Sequence, residues 1–501
     1  MSDQRPQRTE EALPPTTFWE MLEKLTPEAP RPDPGGEEVI QPSGPGESQP
    51  LTAKARQRAL TASLMEQVCE PANLNRAYAR VMANKGSPGV DGMSVGQLGA
   101  WIKRHRQTFI ASLLDGRYQP QPVRGVQIPK PDGKGMRQLG ITSVVDRLVQ
   151  QAMLQVLNPI LDPTFSPHSY GFRAGRSAHD ALKKAREYVA EGRSIVVDID
   201  LEKFFDKVNH QRLMARLGQR VVDRRLLVVI GRMLKAKVVM PNGVVVSTEE
   251  GVPQGGPLSP LLSNIVLDEL DGELHRRGHR FVRYADDCNI YVGSERAGQR
   301  VMASVVMFIE RRLRLNVNAA KSAVARPEER HFLGFRLRRE PSDGSVEVLL
   351  SKRSKERIDA RVRELTPRTW GRSLEACIRS LNAYMFGWIG FFCICTSGVE
   401  RMLQGLEAHI RRRLRAIQLQ HWKRKRTIAR KLTQLGVSNK VAWRTLYEGR
   451  KSLWRLSHTS AVHRALRNGY FTERGLVSLV GEWKRLGKSI GAQAQLRLAL
   501  G

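Results

Sequence analysis

The sequence predicts an α+β fold with an antiparallel sheet, followed by an almost wholly helical and very basic C-terminal region. Three observations carry this. Residues 193–201 (RSIVVDIDL), 237–248 (KVVMPNGVVVST) and 280–292 (RFVRYADDCNIYV) have strand composition, the second around a Pro-Asn-Gly turn. Helical patterns intervene at about 209–235, 258–277 and 295–314 without strict strand–helix alternation, which argues for an α+β layer rather than repeated βαβ units. Beyond about residue 350 the strand signal stops.

Taken in order, the chain opens on a segment unlike the rest. Residues 1–50 hold ten prolines, ten acidic residues and only four Lys/Arg. Such a segment buries too little to offset its ordering entropy, so 1–60 reads as a disordered acidic tail. Within it FWEMLEKL (18–25) has the spacing for two amphipathic turns, too short to be stable alone. Residues 61–190 are largely helical, broken by the loops NKGSPGVDG (84–92) and IPKPDGKGMRQLGI (128–141), the second being the turn of a basic hairpin. The strands fall within 191–345, helices fill 346–415, and 416–501 is basic. Residues 411–430, RRRLRAIQLQHWKRKRTIAR, carry nine Lys/Arg and no acidic residue. Leu414, Ile417 and Ile428 fall on one side of a helix there, with Trp422 at its margin, so one face can pack and the other can meet phosphates.

Charge narrows the function. Lys+Arg number 82 against 49 Asp+Glu, a formal net charge of +33. Self-repulsion of that size opposes compactness unless a polyanion neutralises it, and nucleic acid is the usual one. A membrane surface fits less well, because the sequence has neither a long uninterrupted apolar run nor a secretory leader; an intracellular protein is expected. The five cysteines form no C-x-x-C pair and no Cys/His quartet, so buried free thiols are expected rather than zinc or disulfides.

Two carboxylate motifs stand out. VVDIDLEKFFDKVNH (196–210) brings Asp198, Asp200 and Asp206 to the end of an apolar strand, with Asp198 and Asp200 on one face by alternation. FVRYADDCNIYV (281–292) puts Asp286 and Asp287 at a hairpin turn. Either motif alone suits a turn whose aspartates bond local backbone. Together, at one sheet edge, Asp200 and the Asp286/Asp287 turn would repel one another unless a cation sat between them, and oxygen ligation suits Mg²⁺. In a strongly basic chain that points to two-metal phosphoryl transfer.

These residues resemble a family, the reverse transcriptases, and most closely the proteins encoded by bacterial group II introns. Tyr284-Ala285-Asp286-Asp287 resembles the catalytic hairpin and DLEKFFD (200–206) the first catalytic motif. NKGSPGVDG resembles the N-terminal extension; residues 118–152 and 169–182 (SYGFRAGRSAHDAL) resemble the two fingers blocks. GVPQGGPLSPLLSNIVLDELD (251–271) resembles the motif that positions template and nucleotide, LNVNAAKSAV (315–324) the lysine segment near the pyrophosphate, HFLGFRL (331–337) the primer grip, and RSLNAYMFGWIGFF (379–392) the thumb or maturase region. The order of so many blocks, over roughly 65–430, gives the resemblance its specificity.

The resemblance implies a right-hand polymerase: fingers with the N-terminal extension over 61–190, palm with its antiparallel sheet over 191–345, helical thumb and maturase region over 346–415, and a basic DNA-binding region over 416–501. It implies two Mg²⁺ ions held by Asp200, Asp286, Asp287 and the backbone carbonyl of Leu201, with Asp286 bridging both metals beside Asp200. Lys130, Arg137, Phe205, Gln254 and Lys321 would contact the dNTP, Phe205 as the aromatic that excludes a ribose 2′ hydroxyl and Lys321 as proton donor to pyrophosphate. Arg173, Arg176, Tyr284 and Gly334 would touch template or primer, although Arg173 and Arg176 equally suit ion pairs of the fold. Arg411, Arg412, Arg413, Lys423, Arg424, Lys425 and Arg426 would meet RNA or DNA. The implied partners are group II intron RNA in a ribonucleoprotein, a DNA target or primer, and dNTPs, with no membrane, in the bacterial cytoplasm and at the nucleoid when DNA is the target. No Cys/His module follows Cys395, which resembles the endonuclease-less members. A stand-alone reverse transcriptase in DNA repair or phage defence, and a catalytically silent splicing cofactor, are the alternative readings.

Overall fold

The computed structural model describes residues 61–129, 135–367, 371–447 and 452–487; the acidic tail and Lys130 lie outside them. In chain order the elements begin with α1 (Leu64–Cys69), α2 (Pro71–Ala83), α3 (Leu98–Leu114), β1 (Val123–Pro129), β2 (Met136–Ile141), α4 (Val144–Leu161) and α5 (Ala178–Ala190). There follow β3 (Ile195–Asp200), α6 (Phe204–Lys207), α7 (His210–Gly218), α8 (Arg224–Leu234), β4 (Val238–Val239), β5 (Val245–Val246) and α9 (Ser259–Arg276). Then come β6 (Arg280–Tyr284), β7 (Asp287–Val292), α10 (Glu295–Phe308), β8 (Ala323–Ala325), β9 (Phe335–Arg339) and β10 (Val346–Leu350). The rest is helical: α11 (Lys352–Leu365), α12 (Leu374–Phe392), α13 (Val399–Trp422), α14 (Lys425–Gln434), α15 (Asn439–Tyr447), α16 (Leu453–Leu456), α17 (Ser460–Ala465) and α18 (Asn468–Thr472). The fold is α+β, as the sequence predicts, with a four-stranded sheet in the order β6-β7-β3-β8.

The chain divides into two compact units, 1–177, 199–288 and 301–323 forming one, and 178–198, 289–300 and 324–501 the other. In the first, α2 starts on Pro71, whose missing N–H is no loss at a helix start. Its Leu74, Ala77 and Val81 are buried, as are Leu148, Val149, Ala152 and Leu157 of the α4 helix it packs on. The expected basic hairpin is the antiparallel pair β1–β2, with Arg137 opposite Ile128. β1 also pairs with β4, which turns through Pro241-Asn242-Gly243 into β5, giving a sheet of order β2-β1-β4-β5.

The helix expected over 209–235 is two helices. Asp223 stops the run by capping α8, its carboxylate accepting from Arg225 N at 3.0 Å and Leu226 N at 3.4 Å, and it also accepts from Met65 N at 2.9 Å. The pattern expected over 295–314 likewise leaves α10 at Phe308 for a π-type turn over Ile309–Leu313.

The most consequential packing in this unit surrounds Arg283. Its side chain and that of Asp271 are both 0% exposed. Arg283 Nε and Nη2 donate to the two Asp271 oxygens at 2.7 and 2.6 Å. Nη1 donates to Asn264 Oδ1 at 3.1 Å and to Ala285 O at 2.8 Å, and Nη2 also donates to Ser169 Oγ at 2.7 Å. Five contacts match the five donors of a guanidinium. They fix a two-residue hairpin turn, Ala285-Asp286, in which Ala285 adopts φ +58°, a conformation that favours glycine. Gly171 lies flat against that turn: a Cβ there would come 2.2 Å from Ala285 N and 2.9 Å from the carbonyl carbon of Tyr284.

In the second unit β9 and β10 pair antiparallel, Phe335 opposite Leu350, and Arg186 Nε of α5 donates to Val346 O at 2.9 Å. Phe335, Trp388 and Phe392 form an aromatic cluster, with centroids 5.0 Å apart for Phe335–Phe392 and 4.6 Å for Trp388–Phe392. The helix expected over 411–430 breaks: Lys423, at φ +54°, separates α13 from α14. Leu414, Ile417 and Ile428 are all buried, but from two helices. All five cysteines are buried and none is in a disulfide, as expected. No helix among the described residues is long and apolar enough to cross a membrane.

Two outcomes follow for stability. Asp271→Ala leaves a buried guanidinium without its counter-charge and lowers unfolding free energy by about 3–5 kcal/mol, whereas Arg283→Met with Asp271→Leu recovers most of that loss. Chemical denaturation of the three variants checks this; an Asp271→Ala curve superimposed on the parent's would show the pair to be dispensable. Gly171→Ala forces the Ala285 turn to shift and costs about 1–3 kcal/mol in the same measurement.

Candidate active site

Asp200 ends β3 and Asp286 is the second residue of the turn that Arg283 holds. Burial, and then the neighbouring Asp200 carboxylate, push the Asp286 carboxyl above the usual carboxylate range, while Arg137 and Arg283 pull the other way. Lys321 Nζ lies 3.4 Å from Asp200 Oδ2. The backbone beyond Asp200 is bracketed by the 316–318 segment, Asn318 N donating to Asp200 O at 2.9 Å and Glu202 N to Asn316 O at 2.8 Å. Both ladder bonds pass through the neighbours of Leu201, so the bridge to Val317 leaves the Leu201 carbonyl outside it. Two carboxylates, one destabilised by the other, fit a hard cation with oxygen ligands. Among the described residues no group of three or more acidic, histidine or cysteine side chains gathers at metal-holding range.

Of the residues expected on the nucleotide side, Phe205 and Gln254 share one cavity and Arg137 bonds Gln254. Phe204 is buried and Phe205 is half-buried; both begin α6 rather than ending a strand, and successive side chains on a helix point about 100° apart. Phe205, Asp206, Gln138, Gly140 and Gln254 line one cavity of about 430 Å³. Gly251 closes its floor at φ +94°, where a Cβ would sit 3.0 Å from the carbonyl oxygens of Phe205 and Asp206. Gln254 is held at both ends, Oε1 accepting from Arg137 Nε at 2.5 Å and Nε2 donating to Asp206 Oδ1 at 3.3 Å. The β1–β2 hairpin thus delivers Arg137 to the Pro-Gln-Gly-Gly loop, and to within electrostatic reach of Asp286.

Other expected contacts are placed differently. The Arg173 side chain is 3% exposed; its Nε donates to Asp162 Oδ1 at 2.8 Å and Nη1 to Ser166 O at 2.7 Å, so it serves the fold and is turned away from any template. Arg176 is half-buried, donates to Pro167 O at 2.6 Å and lies over the Tyr170 ring. Tyr284 is half-buried at the end of β6. Gly334 belongs to the second unit, where its carbonyl accepts from Ser351 N and Ser354 Oγ at 3.0 and 2.9 Å. Of the basic series, Arg411 pairs with Glu407 at 3.1 Å, Arg412 lies 4.0 Å above Trp454, and Arg413 donates to Thr366 Oγ1 and O. Lys423, Arg424, Lys425 and Arg426 are exposed.

Sequence reasoning missed the residues that hold the turn: Arg283, Asp271, Asn264, Ser169 and Gly171. A signal existed for the first two. Arg283 is a charged residue that follows the buried strand positions Phe281 and Val282, and Asp271 lies inside the helical pattern that precedes the strand; a buried charge requires a partner. Nothing in the sequence distinguished Ser169 or Gly171 from ordinary loop residues.

Residues 128–337 match the reverse transcriptase (RNA-dependent DNA polymerase) family, and residues 355–436 match the group II intron maturase-specific domain. The protein YkfC of Escherichia coli (strain K12) is 40% identical, over 43% of this chain and 57% of its own length. The group II intron-encoded protein LtrA of Lactococcus lactis subsp. cremoris is 29% identical over 56% of this chain and 59% of LtrA. A putative COX1/OXI3 intron 1 protein of Saccharomyces cerevisiae is 28% identical over 55% of this chain and 32% of its length. The chain therefore spans little more than half the length of the first two relatives. With a polymerase match followed in order by a maturase match around the hairpin just described, the chain is similar to the group II intron-encoded proteins.

Proposed function

We propose that this chain is an RNA-directed DNA polymerase that binds group II intron RNA, assists its splicing and copies it into DNA from a DNA primer. The observation that carries the reading is the Asp286 carboxylate near Asp200, with Arg137 within electrostatic reach of Asp286 and hydrogen-bonded to Gln254, which with Phe205 lines the cavity. Mg²⁺, assigned as two ions, would be held by Asp200 and Asp286, with Asp287 and the Leu201 carbonyl as further oxygen donors. When bound, it supplies Lewis-acid stabilisation of charge at a phosphoryl centre.

The chain's own residues do the rest. Arg137, with Lys130 beyond the described residues, presents positive charge to the triphosphate, and its hydrogen bond to Gln254 keeps both side chains at the cavity mouth. Phe205 excludes a ribose 2′ hydroxyl by volume. Lys321, held near Asp200, carries a proton at Nζ that the leaving pyrophosphate can take. Arg176, Tyr284 and Gly334 stay as template and primer contacts, and residues 61–190, 191–345, 346–415 and 416–501 as fingers, palm, thumb and basic region. Exposed Lys423–Arg426 provide the salt-dependent attraction to nucleic acid.

Primer extension on an RNA template with dNTPs and Mg²⁺ tests the polymerase reading. Asp286→Ala/Asp287→Ala is expected to lose extension by at least about two to three orders of magnitude while keeping RNA affinity. No product from the unsubstituted protein across Mg²⁺ and salt would sink the enzymatic assignment. Phe205→Val is expected to raise ribonucleotide use relative to dNTP use by roughly tenfold or more, read by single-nucleotide insertion; an unchanged ratio would reduce Phe205 to packing.

A further inference from the structure

Glu407 and Glu448 bound a stretch without acidic residues: the forty positions from Ala408 to Tyr447 hold twelve Lys/Arg. Within it α14 and α15 pack on each other, burying Ile428, Ala429 and Leu432 from one and Ala442 and Leu446 from the other. Trp443 and Tyr447 follow Ala442 and Leu446 by one position each, so they stand on the face next to the packed stripe. Their rings stack, with centroids 5.7 Å apart and planes 24° from parallel. Tyr447 is 62% exposed, and Lys425 Nζ lies 4.4 Å from its ring centroid. Both aromatics lie beyond residues 355–436, where the maturase match ends, whereas Lys425 lies inside it.

A tyrosine serving only the hairpin would bury its ring as Leu446 does. Here the larger part of an aromatic surface is left in water, at the end of a cationic stretch, with an ammonium at its face. That is the arrangement by which proteins hold single strands, because every base offers a π-face and every linkage a negative charge. Paired bases are stacked on one another and cannot use it.

We propose that Trp443 and Tyr447 form a stacking platform for an unpaired base of single-stranded RNA, with Lys425 meeting the adjoining phosphate. The assignment rests on the RNA-binding reading above and adds to it where on the chain an unpaired segment is held. The Lys425 ammonium sits on a flexible stem and exchanges the ring for the phosphate as the base arrives.

The test uses the full chain with its catalytic cleft saturated by a primer–template duplex. Binding of a short labelled single-stranded RNA of mixed sequence, and of the blunt duplex of that sequence, is titrated for the parent, Tyr447→Leu and Tyr447→Phe. Tyr447→Leu, which keeps apolar bulk without a π-face, should bind the single strand roughly five- to a hundredfold more weakly and the duplex unchanged; Tyr447→Phe should bind like the parent. A Tyr447→Leu protein that binds the single strand like the parent overturns the platform, as does an equal loss on single strand and duplex. If the parent binds neither RNA, the RNA-binding reading itself fails, and the platform with it. A loss seen with single-stranded DNA of the same sequence but not with RNA would overturn RNA as the ligand.

Discussion

The geometry of the candidate site depends on one buried cation. Arg283 ties α9, through Asp271 and Asn264, to the 169 loop and to the Ala285 carbonyl, five contacts from one planar group. No other side chain carries five donors in a fixed fork, so no apolar or lysine substitute can make the same set of ties at once. Desolvating the guanidinium is expensive, and a buried ion pair is weak evidence of net stability. What it secures is position. A non-glycine residue at φ +58° is unfavourable by roughly 1–2 kcal/mol and persists only where its surroundings over-determine it. The Ala285 carbonyl held from inside, and Gly171 held flat against the turn, supply that determination.

The same fold then places carboxylates where they oppose each other. Asp286 has a carboxyl raised by burial and by Asp200, so the native state binds that proton more tightly than the unfolded chain does. With the sign taken through, this group's contribution to stability falls as pH rises from the ordinary carboxylate range into the raised one, and at neutral pH its ionised form opposes folding. A cation lowers that cost, and Lys321 beside Asp200 and Arg137 near Asp286 already lower it in part. The site thus holds unfavourable electrostatics that a divalent cation would relieve, which is the opposite of how a structural aspartate such as Asp223 is built. Asp223 receives three backbone N–H groups and Arg225, and its carboxyl is held below the usual range, Arg225 and the Met65 N–H being the largest pulls against its burial.

Much of this was legible in the sequence, for identifiable reasons. Strand composition and turn chemistry located β3, β6, β7 and the β4–β5 turn, because period-two patterns with Pro-Asn-Gly or Asp-Asp punctuation are local signals. The order of motifs located Asp200, Phe205, Gln254 and Asp286, and the structure brings Phe205 and Gln254 round one cavity, with Arg137 hydrogen-bonded to Gln254. Helix boundaries were read too long wherever a tertiary partner ended the run: Asp223 caps α8 while accepting from Met65, 158 positions away. Other supports of the turn were invisible because Ser169 and Asn264 gain their meaning only from Arg283, over separations no periodicity spans. Arg173 misled for a related reason, since an arginine among glycines reads as a phosphate contact until Asp162 is seen to hold it.

Net charge is a similar composite, and the C-terminal helices show how to resolve it. Arg411, Arg412 and Arg413 count toward the +33 of the chain, yet each is engaged by Glu407, Trp454 or Thr366. Lys423–Arg426 are exposed because the helix is broken there. In an unbroken helix four consecutive residues would be spread through about 300° of the barrel, and at least one cation would lie over the stripe that buries Leu414, Ile417 and Ile428. The tight γ-turn at Lys423, closed by Arg424 N donating to Trp422 O, removes that conflict: it lets Ile428 reach the core from a second helix while all four cations stay in water. The break therefore converts a run of charge, which a helix would partly bury, into a concentrated positive edge next to an aromatic pair, and it is this local density rather than the total that a nucleic acid meets.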